Sequence, residues 1–404
     1  MERVVVVGAG QAGASLVAKL RAEGFQGRVT LIGQESVPPY QRPPLSKAYL
    51  TGQMGLERLF LRPGSFYADN DIDLRLGTPV AAIDRAARVV IAGGHSIPYD
   101  QLVLTTGAVP RRLPGAIGGD LRGVHVVRTL SDVDAMAPEV VEGRRVLIVG
   151  GGYIGLEAAA VCATRGMQVM LIEMADRILQ RVAAPETSAW FRALHGRNGV
   201  EVREGVGLTR LNGADGKVTG ATLSDTTEHP FDMVIVGVGI HPASRLALAA
   251  GLKIDNGIRV NALGRTSDPA IWAAGDCACF PYRGGWIRLE SVQNAIDQAE
   301  LVARNILGAG TEYNPHPWFW SDQYDVKLQI AGLNTGYDRV AVRQAKGSGA
   351  LSHWYYAGQR LLAVDAMNDP RAYMVGKRLL EAGRSPAPAQ VADPGVELKT
   401  LLAG

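Results

Sequence analysis

Two short glycine runs are the residues whose type and spacing point most directly to chemistry. Gly8-Ala-Gly10-Gln-Ala-Gly13 closes a β-branched run at residues 4–7, and Gly150-Gly-Gly152-Tyr-Ile-Gly155 closes a second at 146–149. The glycines of the two runs are offset by 142 throughout. A glycine turn between a strand and a helix lets backbone amides approach a pyrophosphate, which then rests on the helix N-terminus. One such turn can be a matter of tight packing. Two at parallel places in one chain predict two bound dinucleotides.

Acidic residues refine this reading. Glu173 ends the second strand of the later unit, 18 residues beyond Gly155. A carboxylate there accepts both ribose hydroxyls of NAD and repels the 2′-phosphate of NADP. Arg177 and Arg181 follow it, which keeps NADP open. The earlier unit has Gly33 at the matching strand end, then Gln34 and Glu35, and Glu35 is the candidate for its ribose. Thiols offer little. The three cysteines, Cys162, Cys277 and Cys279, make no disulfide framework, and no His or Cys cluster has metal-ligand spacing, so no metal is expected.

The elements that must position these groups follow from pattern. Each glycine run lies between a strand and a helix, and further strands at 29–32 and 169–172 complete two βαβ units. Residues 72–105 read as short strands and turns. A helix near 186–198 and strands near 200–236 follow the second unit, and the stretch 267–276 interrupts the pattern. Ser291 reads as the N-cap of a helix carrying Ala295, Ala299, Val302 and Ile306 on one face. From about 315 the chain turns aromatic and alternating, and Asp369-Pro370 reads as an N-cap with proline at the first helical position. The predicted fold class is α/β: two Rossmann-like dinucleotide-binding domains and a C-terminal α+β domain.

Composition removes other classes. Lys+Arg 42 against Asp+Glu 39 leaves +3 over 404 residues, with no basic cluster of the kind that grips nucleic acid. No apolar run reaches about 18 residues, so no spanning helix and no membrane partner is expected. The chain enters a strand at once, without a basic and apolar leader, and a cytoplasmic location follows as an expectation.

With Thr105-Thr-Gly107 and Ala274-Gly275-Asp276, the paired units resemble the two-dinucleotide flavoprotein reductases of glutathione-reductase fold. More narrowly, RPPLSK (42–47), GGGYIGLE (150–157), ESVQNAIDQA (290–299) and WFWSDQY (318–324) resemble the ferredoxin reductases of oxygenase systems, of the putidaredoxin reductase and biphenyl-dioxygenase ferredoxin reductase type. The resemblance implies that FAD occupies residues 1–110 and 241–314, that NADH occupies an inserted domain at 111–240, and that 315–404 form a β-rich C-terminal domain. It implies FAD contacts at Gly8, Gly10, Ala12, Gly13, Lys47, Val80, Thr106, Gly107, Arg128, Gly275, Asp276, Ser291 and Val292. Asp276 would bond the ribityl chain. Glu35 stands in for an acidic residue that the family often has where this chain has Gln34; otherwise the ribose is held differently. NADH contacts are implied at Gly150, Gly152, Ile154, Gly155, Glu173, Arg181 and Gly239. Lys47 and Glu157 correspond to a buried ion pair beside the flavin ring, and Trp320 to an aromatic near it.

Disulfide reductases of this fold need a cysteine pair just after the first βαβ unit, and residues 38–47 contain none. Electrons must therefore leave the flavin outward. FAD accepts a hydride and can release electrons one at a time, which suits a 2Fe–2S ferredoxin that in turn supplies a haem monooxygenase or a ring-hydroxylating dioxygenase. The competing expectations are an NADH-dependent rubredoxin or quinone reductase, a slow NADH oxidase, and a redox sensor like apoptosis-inducing factor. The C-terminal domain is a common dimer surface in that fold, so a homodimer is among the expected partners.

Overall fold

The parallel strands form because runs of Val, Ile and Leu can be buried on both faces at once, as helices on either side of a parallel sheet require. The computed structural model describes residues 1–345 and 349–403. Its chain divides into two units, each assembled from three stretches: 1–42, 55–109 and 240–315 in the first, 43–54, 110–239 and 316–404 in the second.

In the first unit, Arg3–Val7 pairs in parallel with Arg28–Ile32 on one side and Gln101–Leu104 on the other. Ile72–Arg75 and Ile271–Ala273 extend this sheet to five strands. The helices Gln11–Ala22 and Val292–Ile306 cover it, and Leu16, Val17, Leu20, Ala295, Ala299 and Val302 lie in one buried cluster with Val4, Val6 and Leu31. The strand at 271–273 corrects the expectation of a break at 267–276. Three residues are too few to show a period, and this strand owes its place to a neighbour 169 positions earlier, with Ile271 opposite Leu102.

The second unit repeats the layout. Arg145–Val149 lies between Gln168–Glu173 and Met233–Val236, flanked by Glu201–Glu204 and Val124–Val126. The strand order matches that of the first sheet. Only the source of the last strand differs, since it comes late in the chain for the first sheet and early for the second. The helix predicted near 186–198 is Pro185–Arg197. Past residue 315 a five-stranded antiparallel sheet runs in the order Trp318–Gln323, Val326–Gly332, Arg360–Met367, Leu351–Ala357, Arg339–Gln344. Pro370–Glu381 packs on it through Ala372, Val375 and Leu379. Asp369 caps that helix by accepting from the Ala372 N–H at 2.9 Å.

Candidate functional site

The two glycine runs share an anatomy that separates what the fold needs from what a ligand needs. Gly8 has φ +116°, and a Cβ there would lie 2.2 Å from the Thr105 carbonyl oxygen. A Cβ on Gly13 would lie 2.1 Å from the Gly8 oxygen. In the second run Gly150 has φ +108° and would meet Gly237 O at 2.5 Å, and Gly155 would meet Gly150 O at 2.0 Å. The first and third glycines are thus demanded by the chain itself. Gly10 and Gly152 are different: a Cβ on either has nothing within 4 Å, and both have ordinary extended backbone. Nothing in the protein explains their missing side chains, whereas a phosphate drawn against the backbone does.

Each middle glycine is also a helix N-cap that offers no side-chain cap, and neither helix has an acid in its first turn. The leading N–H groups and the positive end of the macrodipole are left for an anion.

At the second run, Glu173 is held ready. Its Oε2 accepts from the Gly151 N–H at 2.8 Å and its Oε1 from the Ala175 N–H at 2.9 Å. Each oxygen keeps a further lone pair for a ribose hydroxyl. Arg177 is turned elsewhere, donating to Ser188 Oγ at 2.5 Å and the Gln180 carbonyl at 3.3 Å. The Arg181 guanidinium lies 3.8 Å from the position a Gly239 Cβ would take, and Ile154 is exposed on the helix's first turn. Of these, the structure brings Arg181 and Gly239 together. At the first run, both Glu35 oxygens are engaged within the chain, by Arg42 Nη2 at 2.6 Å and the Tyr40 hydroxyl at 2.5 Å.

Of the remaining predicted residues of the first unit, Gly275 and Ala12 are brought together. A Cβ on Gly275 would lie 3.1 Å from Ala12 Cβ and 3.7 Å from Ala295 Cβ, so the glycine helix, the AGD turn and the 292–306 helix meet there. Asp276 is the only position from 270 to 280 that is not buried. Ser291 caps its helix by accepting from the Asn294 N–H at 3.1 Å, which leaves the amides of Val292 and Gln293 at the open end. Thr106 donates to the Ala243 carbonyl at 2.7 Å, and Gly107 accepts from the Ala243 N–H at 2.9 Å. Val80 begins the antiparallel strand Val80–Asp84, opposite Ala92. Gln298 was not singled out from the sequence. It is fully buried, accepts from the Gly275 N–H at 2.8 Å, and its Nε2 has no hydrogen-bond partner among the described residues. An orphaned buried donor beside the AGD turn fits a flavin nucleotide bound there. Its signal, a glutamine two turns into the capped helix, is too common to have been read alone.

In the second unit the structure pairs Lys47 with Glu157, Nζ to Oε1 at 3.1 Å. Ser321 Oγ donates to the same oxygen at 2.7 Å, Ser46 Oγ to Oε2 at 3.2 Å, and Asp322 lies 3.8 Å from Nζ. Burial pushes the Glu157 carboxyl above its usual range, and Lys47 works against that shift. Trp320 lies on the strand opposite Gln329, with its ring 5.6 Å from Trp318. Arg128 follows Val124–Val126, just before the Thr129 cap of the next helix. Cys162, Cys277 and Cys279 are free and buried, and burial raises all three thiols, that of Cys162 to about 12. None is a ready thiolate. Among the described residues no helix is long and apolar enough to cross a membrane.

Comparison with known proteins matches residues 2–299 to the pyridine nucleotide-disulphide oxidoreductase model and residues 318–402 to the reductase C-terminal model. The chain is 46% identical to a ferredoxin–NAD(P)(+) reductase of Sphingomonas sp., covering 99% of this chain and 97% of that one. It is 42% identical to rhodocoxin reductase of Rhodococcus erythropolis, covering 99% and 94%. The solved structure of a covalent putidaredoxin reductase–putidaredoxin complex superposes with a TM-score of 0.96 at 41% identity, covering 100% of this chain and 98% of that chain.

Proposed function

Because the chain belongs to the pyridine nucleotide-disulphide oxidoreductase family and carries a reductase C-terminal module, we propose that it is an FAD-containing reductase that passes electrons from NADH to a 2Fe–2S ferredoxin serving an oxygenase. The observation that carries this is the repeated glycine anatomy, tight at the outer glycines and open at the middle one, in a chain whose cysteines are buried and unpaired. Two dinucleotides have a place, and a thiol relay has none. FAD, when bound, takes two electrons as a hydride and gives them up one at a time.

The protein's own groups do the rest. The Gly10 helix takes a pyrophosphate on its free amides, Asp276 in the AGD turn and Gln298 on the 292–306 helix face the nucleotide, and the amides of Val292 and Gln293 present a positive helix end. The Gly152 helix takes the second pyrophosphate, and Glu173 selects NADH by accepting from both ribose hydroxyls. Lys47 supplies positive charge where the flavin gains negative charge, and Glu157 balances it beforehand. Residues 1–110 and 241–314 are the FAD part, 111–240 the NADH part, and 315–404 the third part, and Trp320 is the aromatic that the family resemblance assigns to the ring. Three unoxidised cysteines suit a cytoplasmic protein. A homodimer belongs to the same reading, and light scattering decides it.

The test is anaerobic stopped-flow. The yellow holoprotein is mixed with NADH, and then with oxidised 2Fe–2S ferredoxin. Fast bleaching of the flavin followed by ferredoxin reduction is expected. Bleaching without transfer to any of several ferredoxins overturns the partner, and absence of bleaching overturns the second dinucleotide site.

A further inference from the structure

Glu157 is the end of a longer hydrogen-bonded chain in the second unit, and its direction follows from valence with Glu157 taken as the ionised partner of Lys47. A carboxylate only accepts, so the single hydroxyl hydrogen of Ser321 is committed to Glu157 Oε1 at 2.7 Å. Ser321 Oγ must then accept from the Gln323 amide nitrogen, 3.2 Å away. This turns the Gln323 carbonyl oxygen toward His195 Nε2 at 2.8 Å, so that nitrogen carries a proton. Burial holds the His195 pKa below its usual value, so the ring is neutral and Nδ1 is bare, facing the Tyr324 hydroxyl at 3.1 Å. Ser321, Gln323 and His195 are all buried. Every donor in the row points toward Glu157.

We infer that Ser321, Gln323, His195 and Tyr324 are positioning residues that keep Glu157 ionised, so that the charge balancing Lys47 stays fixed while the flavin changes its own. The physical reason is that aligned hydrogen bonds polarise one another in a low-dielectric interior and stabilise the anion at their end. Burial alone would drive Glu157 to take up a proton, and the flavin's gain of negative charge on reduction would add to that drive. The charged and titratable groups facing Glu157 are Lys47 and, beyond it, Asp322. The titratable group beside His195 is Tyr324, and beyond Tyr324 lies the buried Cys162, whose thiol burial pushes up. Besides Lys47, the hydrogen bonds from Ser321 and Ser46 oppose protonation, and the row orients the first of them. The inference rests on the proposed placement of Lys47 beside the flavin.

The experiment counts protons. The midpoint potential of the holoprotein is measured against pH across about pH 6 to 8, and its slope gives the protons taken up per two electrons. The wild type is expected to take up one, the flavin's own. Gln323→Leu, which cuts the row, is expected to rise toward two as Glu157 accepts a proton on reduction. Adding Glu157→Gln to that variant should return the count to one, an effect that general damage does not produce. Lys47→Met serves as the control for the underlying reading and is expected to shift the potential.

If Lys47→Met shifts the potential and Gln323→Leu still takes up a single proton, the positioning role is overturned. If Lys47→Met leaves the potential where it was, the placement of Lys47 falls, and the inference with it. Should Gln323→Leu not fold, nitrogen NMR of histidine-labelled wild type decides the matter. A protonated Nε2 and bare Nδ1 on His195 are required, and a protonated Nδ1 overturns the inference.

Discussion

Gly152→Ala should leave the protein about as stable as before while depriving it of NADH. The backbone at Gly152, φ −80° and ψ 177°, suits alanine, and the new methyl would meet no atom within 4 Å. Losing glycine's unfolded-state freedom stabilises by about 0.4–1 kcal/mol, and this roughly offsets the cost of alanine at a helix N-cap. A phosphate oxygen, however, must come within about 2.9 Å of the loop amides, and the methyl stands in that approach. Losing one charge-assisted bond costs about 1.5–3 kcal/mol, so NADH should bind about 10- to 150-fold more weakly. Gly155→Ala is the contrast. Its methyl would lie 2.0 Å from the Gly150 oxygen, forcing backbone to move at a cost of about 1–3 kcal/mol. The assay combines thermal unfolding, flavin absorbance and the NADH concentration dependence of anaerobic bleaching. The expected pattern for Gly152→Ala is a nearly unchanged midpoint, full yellow colour and weak NADH response; for Gly155→Ala it is a lowered midpoint. A Gly152→Ala protein that melts as early as Gly155→Ala, or that binds NADH normally, would refute the reasoning.

Two further outcomes are expected. Glu173→Gln replaces an oxygen that accepts from the Gly151 or Ala175 amide with a donor, and it removes the charge that repels a 2′-phosphate. The ratio of kcat/KM for NADH over NADPH should fall at least about tenfold, and a wild type that uses both equally would sink the assignment of Glu173. Buried Asp365 and His353 both bond Thr187, and burial moves Asp365 up from 3.8 to about 6 and His353 down from 6.5 to about 4. The stabilising contribution of Asp365 is present below its unfolded value and lost as pH rises through about 6, whereas that of His353 is present above its unfolded value and lost as pH falls through about 4. Each is of the order of 3 kcal/mol, and the two oppose each other. Asp365→Asn should therefore lose stability as pH falls, and His353→Gln as pH rises; melting temperatures at several pH values check this, and parallel profiles would contradict it.

What the sequence reveals is what has a local period or a fixed spacing. The valine runs, the glycine turns and the Ser291 and Asp369 caps act within a few residues, and each lies where its pattern predicts. Glu173 was readable because its distance from the loop is fixed by one helix and one strand. Side-chain partners far apart in the chain have no such signal. Glu157 meets Ser46 at a separation of 111 and Ser321 at 164, and only the family resemblance paired it with Lys47. Gln298 looks like any helix glutamine until its buried, partnerless nitrogen is seen. Asp365 interrupts the otherwise apolar run Leu361–Met367, and nothing local says that its carboxylate faces Tyr355 and Thr187.

The division of each unit among three stretches governs how the chain acquires its shape as it is made. The first sheet lacks its 271–273 edge until long after its glycine helix has emerged, and residues 43–54 must wait for partners from beyond 316 before Ser46 and Ser321 can share Glu157. Vectorial synthesis therefore holds the first sheet half-built in suspension, and its closure depends on contacts of large sequence separation, which form slowly. No single cut in the gene releases either unit whole, so neither can be passed on as one continuous segment.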